Sequence, residues 1–205
     1  DLIDSGDLGE MTRVIWIVTD WYRSQSYYDQ GGWRATWDGE GGGVLLNQNP
    51  HNLDLWQWMC GIPKRVKSQV YYGKHRNIEV EDDLYALVEY ENGATGCYIT
   101  TVGDAPGTNR LEIDGTNGKI VVENNELTFY RLRIPEPEFN ATYKGGLGKP
   151  EVWECKIPIK GTYTSHPGII NNFCDCILKG AKPIAPGAEG IRGLQISNAI
   201  HLSSW

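Results

Sequence analysis

The sequence predicts an α+β domain: a predominantly antiparallel, open-faced sheet with helices packed on one face, the other face being left for oligomerisation. Three observations lead there. Short apolar runs alternate with period two, tight-turn signals join them, and helical patterns gather in one early segment and at the end. Strands linked by short turns pair antiparallel, because a parallel neighbour needs a long crossover.

The elements follow in order. After a DSGDLGE turn, residues 12–21 (TRVIWIVTDW) alternate and are rich in β-branched and aromatic side chains, which predicts a strand. Residues 22–41 show no clear period but carry five aromatics, two arginines and three acids, a long loop whose aromatic load argues for function rather than disorder. Residues 41–61, GGGVLLNQNPHNLDLWQWMCG, read as a largely apolar helix. Seven strand-like runs come next, at 66–73, 83–91, 94–102, 109–115, 119–124, 126–133 and 152–160, and read together as a meander of about six strands. Asn92-Gly93 is a strong hairpin signal within it, and Thr116-Asn117-Gly118 marks another tight turn. A Pro/Gly-rich excursion at 134–150 interrupts the series. Two helices close the chain: HPGIINNFCDCILKG, with Pro167 in its first turn and Gly180 after its last, and AEGIRGLQISNAIHLSSW. Runs such as 85–90 are apolar on both faces, so the face without helices is expected to meet a partner.

The 205 residues are enough for one sizeable core, and a net charge of −7 disfavours non-specific nucleic-acid binding. No apolar run reaches the roughly 20 residues that span a bilayer, and no signal-peptide pattern is present. Five cysteines are scattered without a CxxC pair, which fits free thiols in a reducing cytoplasm better than a zinc site. Both ends look cut through helical patterns, so the chain reads as a single domain, 1–205, from a longer protein. Neither a P-loop nor a GxGxxG fingerprint occurs. The acids Glu79, Glu81, Asp82 and Asp83 alternate along a strand, which separates them and favours solvation or ion pairing over a metal.

Within 41–61, Asn47, His51 and Asp54 fall at i, i+4 and i+7, which would place them on one helical face. Asn49-Pro50 complicates this. Either Asn49 caps a helix starting at Pro50, or a helix starting near Gly43 is interrupted by the proline. An imidazole, an amide, planar aromatics and guanidinium groups suit a polyhydroxylated ligand: rings pack on sugar C–H patches and polar groups bond the hydroxyls. A histidine near neutrality can also exchange a carbinol proton.

These residues resemble the Gfo/Idh/MocA family of NAD(P)-dependent sugar and polyol oxidoreductases. The family's glycine run and Asp/Asn-x-x-x-His-x-x-Asp helix map onto Gly41-Gly42-Gly43, Asn47, His51, Asp54 and Gly61. SGDLGEMTRV, IEVEDDLYALVEYENGATG, NRLEIDGTNGKIVVE and HPGIINNFCDCILKG resemble further family motifs along nearly the whole chain. The resemblance implies a C-terminal substrate-binding and oligomerisation domain. The Rossmann domain that binds NAD or NADP, and its Glu-Lys-Pro lysine, would lie outside this chain. It implies oxidation of a secondary hydroxyl of a sugar, inositol or related polyol by hydride transfer, with the fragment alone inactive.

His51 is then the general base, or part of a relay with that lysine. Asn47 stands where many relatives have Asp, and as an amide it would orient rather than take a proton. Asp54 either orients the imidazole or is a helix-surface carboxylate. Arg23, Tyr27, Trp33, Arg34 and Trp37 are expected to contact substrate. Asn109 and Arg110 either reach the pocket rim or begin a strand, and His166 opens a helix that could face the ligand. A non-catalytic carbohydrate-binding or oligomerisation domain is the alternative. The partners expected are a small sugar or polyol and, through the open sheet face, a further copy of the chain, with neither nucleic acid nor membrane.

Overall fold

The computed structural model describes residues 2–159 and 165–205. It contains β1 (Met11–Val18), α1 (Gln25–Asp29), α2 (Pro50–Cys60), β2 (Arg65–Tyr72), β3 (Glu81–Glu89), β4 (Thr95–Thr101), β5 (Asn109–Gly115), β6 (Gly118–Glu123), β7 (Glu126–Leu132), α3 (Glu136–Thr142), β8 (Val152–Ile157), α4 (Ser165–Lys179) and α5 (Gly187–Ser204). The strands form one open sheet in the order β2-β3-β4-β1-β5-β6-β7-β8. All neighbours are antiparallel except β1 and β4. That parallel pair arises because a long excursion through α1 and α2 separates β1 from the β2-β3-β4 meander. Residue 160, at the end of the last expected strand, lies outside the described residues.

Period-two alternation sorts the side chains onto two faces. Val14, Trp16 and Val18 of β1, Leu84, Ala86 and Val88 of β3, Tyr98 of β4, and Leu111 and Ile113 of β5 point to one face and are buried. Leu53 and Trp56 of α2 cover them: the Trp56 ring stacks on Trp16, meets Tyr98 edge-on, and donates its Nε1–H to Tyr90 Oη at 2.6 Å. The C-terminal end of α5 shields the edge strand β2. Ser203 and Ser204 hydroxyls accept the outward N–H groups of Ser68 and Val70, so the edge is not left open for pairing there.

The opposite face carries Ile15, Ile17, Cys97 and Ile99, with Tyr85 and Leu87 about half exposed. Ion pairs flank this strip: Arg65 with Glu89 on one side, Arg110 with Glu112 and Glu123 on the other. Two short helices went unexpected. α1 lies inside the aromatic loop and α3 inside the Pro/Gly-rich excursion.

Candidate functional site

The segment before α2 is shaped by a buried carboxylate. Glu81, fully buried at the start of β3, accepts the Gly43 N–H at 2.7 Å and the Leu45 N–H at 3.0 Å, while its own carbonyl accepts from Val44 N–H at 3.0 Å. A Cβ on Gly43 would collide with that carbonyl oxygen, so close approach dictates this glycine. Gly41 is needed for another reason, a φ of +79°. Burial pushes the Glu81 carboxyl up to about 7, against the lowering effect of the Leu45 and Gly43 amides. Beside it, Trp205 Nε1–H donates to Tyr72 Oη at 3.1 Å, and Tyr72 Oη lies 3.1 Å from His201 Nδ1. On the other side of the imidazole, His201 Nε2 lies 3.7 Å from Glu81 Oε1. Burial lowers the His201 pKa, which favours the neutral imidazole.

From Gly43 the chain makes one turn, with the Asn47 N–H to the Gly43 carbonyl and the Asn49 N–H to that of Val44. Pro50 brings no N–H, the ladder stops, and α2 begins at Pro50 with Asn49 at its N-cap position. Asn47 is therefore not on one helical face with His51 and Asp54; it sits in the turn before the helix. Nor does Asn49 cap with its side chain. Fully buried, it donates Nδ2–H to Thr100 Oγ1 and accepts from Tyr98 Oη, each at 2.7 Å, pinning the start of α2 to β4.

His51 emerges exposed in the first turn of α2, and among the described residues it makes no hydrogen bond. Asp54 does not orient it, because its carboxylate accepts from Gln57 Nε2 at 3.1 Å. Asn47 is half-buried, giving Nδ2–H to Glu40 and taking a bond from Gln48 Nε2 on Oδ1. Glu40 also accepts the Ala35 N–H at 2.8 Å, which ties the aromatic loop to Asn47.

That loop forms a ladder of rings and guanidinium groups. Arg23 lies against Trp21 and Tyr27, 5.4 and 5.2 Å from their centroids. Arg34 lies 4.6 Å from both Tyr27 and Trp33, and donates Nη1–H to Tyr27 Oη at 2.6 Å. Trp21 Nε1–H reaches Asn52 Oδ1 on α2 at 3.3 Å, one residue from His51. Arg76 fastens the base of the ladder: its guanidinium donates to the carbonyls of Arg23 and Val102. The turn carrying Arg76 is in turn held by buried Asp82, which accepts the Lys74, His75 and Arg76 N–H groups.

The structure thus brings together Arg23, Tyr27, Trp33 and Arg34, and links them to Asn47 through Glu40 and to the first turn of α2 through Asn52. It does not bring in the others. Trp37 stands with Tyr72 and His201, ring centroids 5.9 and 6.0 Å away. Arg110 takes the strand alternative: alternation puts it opposite Leu111, on the face away from α2, bonded to Glu112 and Glu123. Asn109 begins β5 and supports the loop from below, accepting from Trp16 Nε1 and donating to Asp20, each at 3.1 Å. His166 is exposed in the first turn of α4. Half of the acidic run follows the solvated or ion-paired expectation: Glu79 is exposed and Asp83 pairs with Lys74 and His75. Glu81 and Asp82 differ, being buried and bound to main-chain N–H groups. Sequence reasoning missed Glu81, Asn49, Asn52, Trp21 and Arg76. The one available signal was a pair of acids leading an otherwise apolar strand, which must find donors if buried.

Among the described residues, no helix is long and apolar enough to cross a membrane, and no three His, Cys, Asp or Glu side chains converge on a metal position. Among curated proteins no sequence matches the chain. Several solved structures do. The WlbA dehydrogenase from Bordetella pertussis, in complex with NADH and UDP-GlcNAcA, is 25% identical, with a TM-score of 0.78 over 99% of this chain and 55% of its own. The Chromobacterium violaceum WlbA dehydrogenase, with the same ligands, is also 25% identical at a TM-score of 0.75, covering 99% and 55%. Levoglucosan dehydrogenase in complex with NADH and levoglucosan is 20% identical at a TM-score of 0.73, covering 99% and 59%, a likeness of fold. The chain thus spans little more than half the length of these relatives. The family model for the GFO/IDH/MocA C-terminal domain matches residues 1–121, a stretch that holds the ladder, the glycine turn, His51 and Glu81. The chain belongs to the GFO/IDH/MocA C-terminal domain family.

Proposed function

We propose that this chain is the substrate-binding domain of an NAD(P)-dependent oxidoreductase that oxidises a secondary hydroxyl of a sugar, inositol or related polyol. The observation that carries the reading is the exposed His51 imidazole in the first turn of α2, a turn whose next residue, Asn52, is bonded to Trp21 at the foot of the ladder of rings and guanidinium groups. His51 takes the carbinol proton and Asn47, braced by Glu40 and Gln48, orients the substrate hydroxyls. Tyr27, Trp33 and the arginines pack and bond the sugar ring, with Trp37, Asn109 and His166 as outer contacts still to be tested.

The nicotinamide cofactor would accept the hydride. The described residues do not form its cradle: among them the one parallel strand pair, β1 and β4, is not joined by a glycine-rich strand–turn–helix unit. NAD or NADP is therefore assigned to a Rossmann domain outside residues 1–205, and this chain alone is expected to be inactive. In the full-length protein, His51→Ala should lower kcat/KM for an oxidised sugar by about 100-fold or more while cofactor affinity is kept. Unchanged turnover would remove His51 from the reaction.

We further assign the open sheet face to self-association. The half-exposed Tyr85 and Leu87 flank an apolar strip that is rimmed by ion pairs, as a two-fold interface would be. Sedimentation should show an oligomer that Leu87→Arg dissociates, and a strictly monomeric particle at high concentration would refute the assignment. The five unpaired thiols support a reducing, cytoplasmic location.

A further inference from the structure

We propose that the substrate carries an anionic group, a carboxylate or phosphate, held by Arg34 together with Arg23. This rests on the reading of the ladder as the substrate wall.

The argument is one of uncompensated charge. In this chain of net charge −7, Arg65, Arg110 and Arg133 are each bonded to glutamate. Arg23 and Arg34 are not: among the described residues neither makes an ion pair, although both are half-buried. The acids nearby are already engaged. Glu40 serves Asn47 and the Ala35 N–H, Asp82 serves the 74–76 turn, and Asp20 accepts from Asn109.

Both guanidinium groups also lie against the same Tyr27 ring. Ring faces attract a cation without neutralising it, so both charges stay uncompensated around this one ring. Their donors are far from saturated. Arg34 gives one bond, to Tyr27 Oη, and Arg23 gives one, to the Tyr22 carbonyl. The Arg23 Nε–H is buried with no acceptor at all. Neutral hydroxyls would leave this charge in place, whereas a carboxylate or phosphate neutralises it and takes several N–H donors in fork geometry.

The test uses full-length protein with its cofactor and matched ligands: glucose, glucuronate, glucose 6-phosphate, UDP-linked N-acetylglucosamine and its uronate. Binding is measured by calorimetry and oxidation by cofactor absorbance. At least one anionic ligand should bind about tenfold or more tightly than its neutral counterpart, the scale of a charge-assisted hydrogen bond. Whether the uronates or the phosphate show the gain identifies the anion. The preference should shrink in high salt, collapse in Arg34→Met, and persist in Arg133→Gln, whose arginine pairs with Glu151 elsewhere. Equal affinity for neutral and anionic members, or an anionic preference that Arg34→Met leaves intact, overturns the proposal. Anion-selective binding without oxidation of any ligand would instead overturn the dehydrogenase reading and leave this inference standing.

Discussion

Glu81→Gln tests the account of the glycine turn most directly. In the folded chain the carboxyl is lifted to about 7 from its ordinary 4.5, chiefly by burial. At about 1.4 kcal/mol per pH unit, that difference amounts to about 3 kcal/mol. Between pH 4.5 and 7 the folded state holds a proton that the unfolded state has released. The stability Glu81 contributes is therefore fully present below about pH 4.5 and lost as the pH rises through about 7.

Glutamine mimics the protonated acid: one oxygen still accepts an N–H, while its NH2 group faces the second of the Gly43 and Leu45 amides and cannot accept. Urea unfolding, followed through the buried Trp16 and Trp56, should then give parent and variant stabilities within about 1 kcal/mol of each other at pH 5. At pH 8 the variant should be the more stable by about 2 kcal/mol, the burial cost of the charge less the lost bond. Burial lowers the pKa of His201, which acts in the opposite sense: its stability is present above its ordinary 6.5 and is lost as the pH falls through its lower folded value. It is common to both proteins and largely cancels in the difference, and repeating the pair in a His201→Gln background removes its coupling across 3.7 Å. In the full-length protein the stabler variant should turn over more slowly, because one of the two bonds shaping the glycine turn is gone. A stability gap that does not change between pH 5 and 8 would refute the assignment of a charged, buried Glu81.

Asn49→Ala should cost about 2–3 kcal/mol in the same assay, because Tyr98 Oη and Thr100 Oγ1 lose a buried partner. Asn49→Ser should cost nearly as much although serine is a good cap, since the native side chain anchors the helix to β4 rather than capping it. Gly43→Ala should destabilise by about 1–3 kcal/mol through collision with the Glu81 carbonyl, a cost read from its urea midpoint. Trp56→Ala should cost about 3–5 kcal/mol, and Trp56→Phe less, with the residual loss reporting the unpaired Tyr90 hydroxyl.

The strands were legible because one face of each is buried. Leu84, Ala86 and Val88 alternate with partly exposed neighbours, and Asn92-Gly93 fixes the hairpin between β3 and β4. The single parallel contact, β1 with β4, was not legible, since nothing local says which strand a long excursion returns to. Nor were α1 and α3, which are too short to display a helical period. Asn49-Pro50 marked the start of α2 as one of two alternatives, and the missing proline N–H decides between them. Arg110 could have been placed by the same alternation that places Leu111, because successive strand residues face opposite ways. What sequence could not supply was the partner of each buried acid. The donors of Glu81 lie 36 and 38 positions earlier, and no periodic pattern carries a contact of that range.

Those long-range anchors explain how the site can be both exposed and well defined. His51 and Trp33 face solvent, where packing cannot hold a side chain in one geometry. Their backbones are fixed from beneath instead: Glu81 grips the turn before α2, Asn49 pins the helix start, and Asp82 and Arg76 clamp the base of the aromatic loop. Each anchor is a polar side chain spent on a buried partner, a bond whose loss leaves an unpaired group in a low-dielectric interior. The exposed side chains are therefore free to be chosen for chemistry. Substitutions at the anchors should move both stability and turnover, whereas substitutions at His51 or Arg34 should move turnover or affinity with little effect on unfolding.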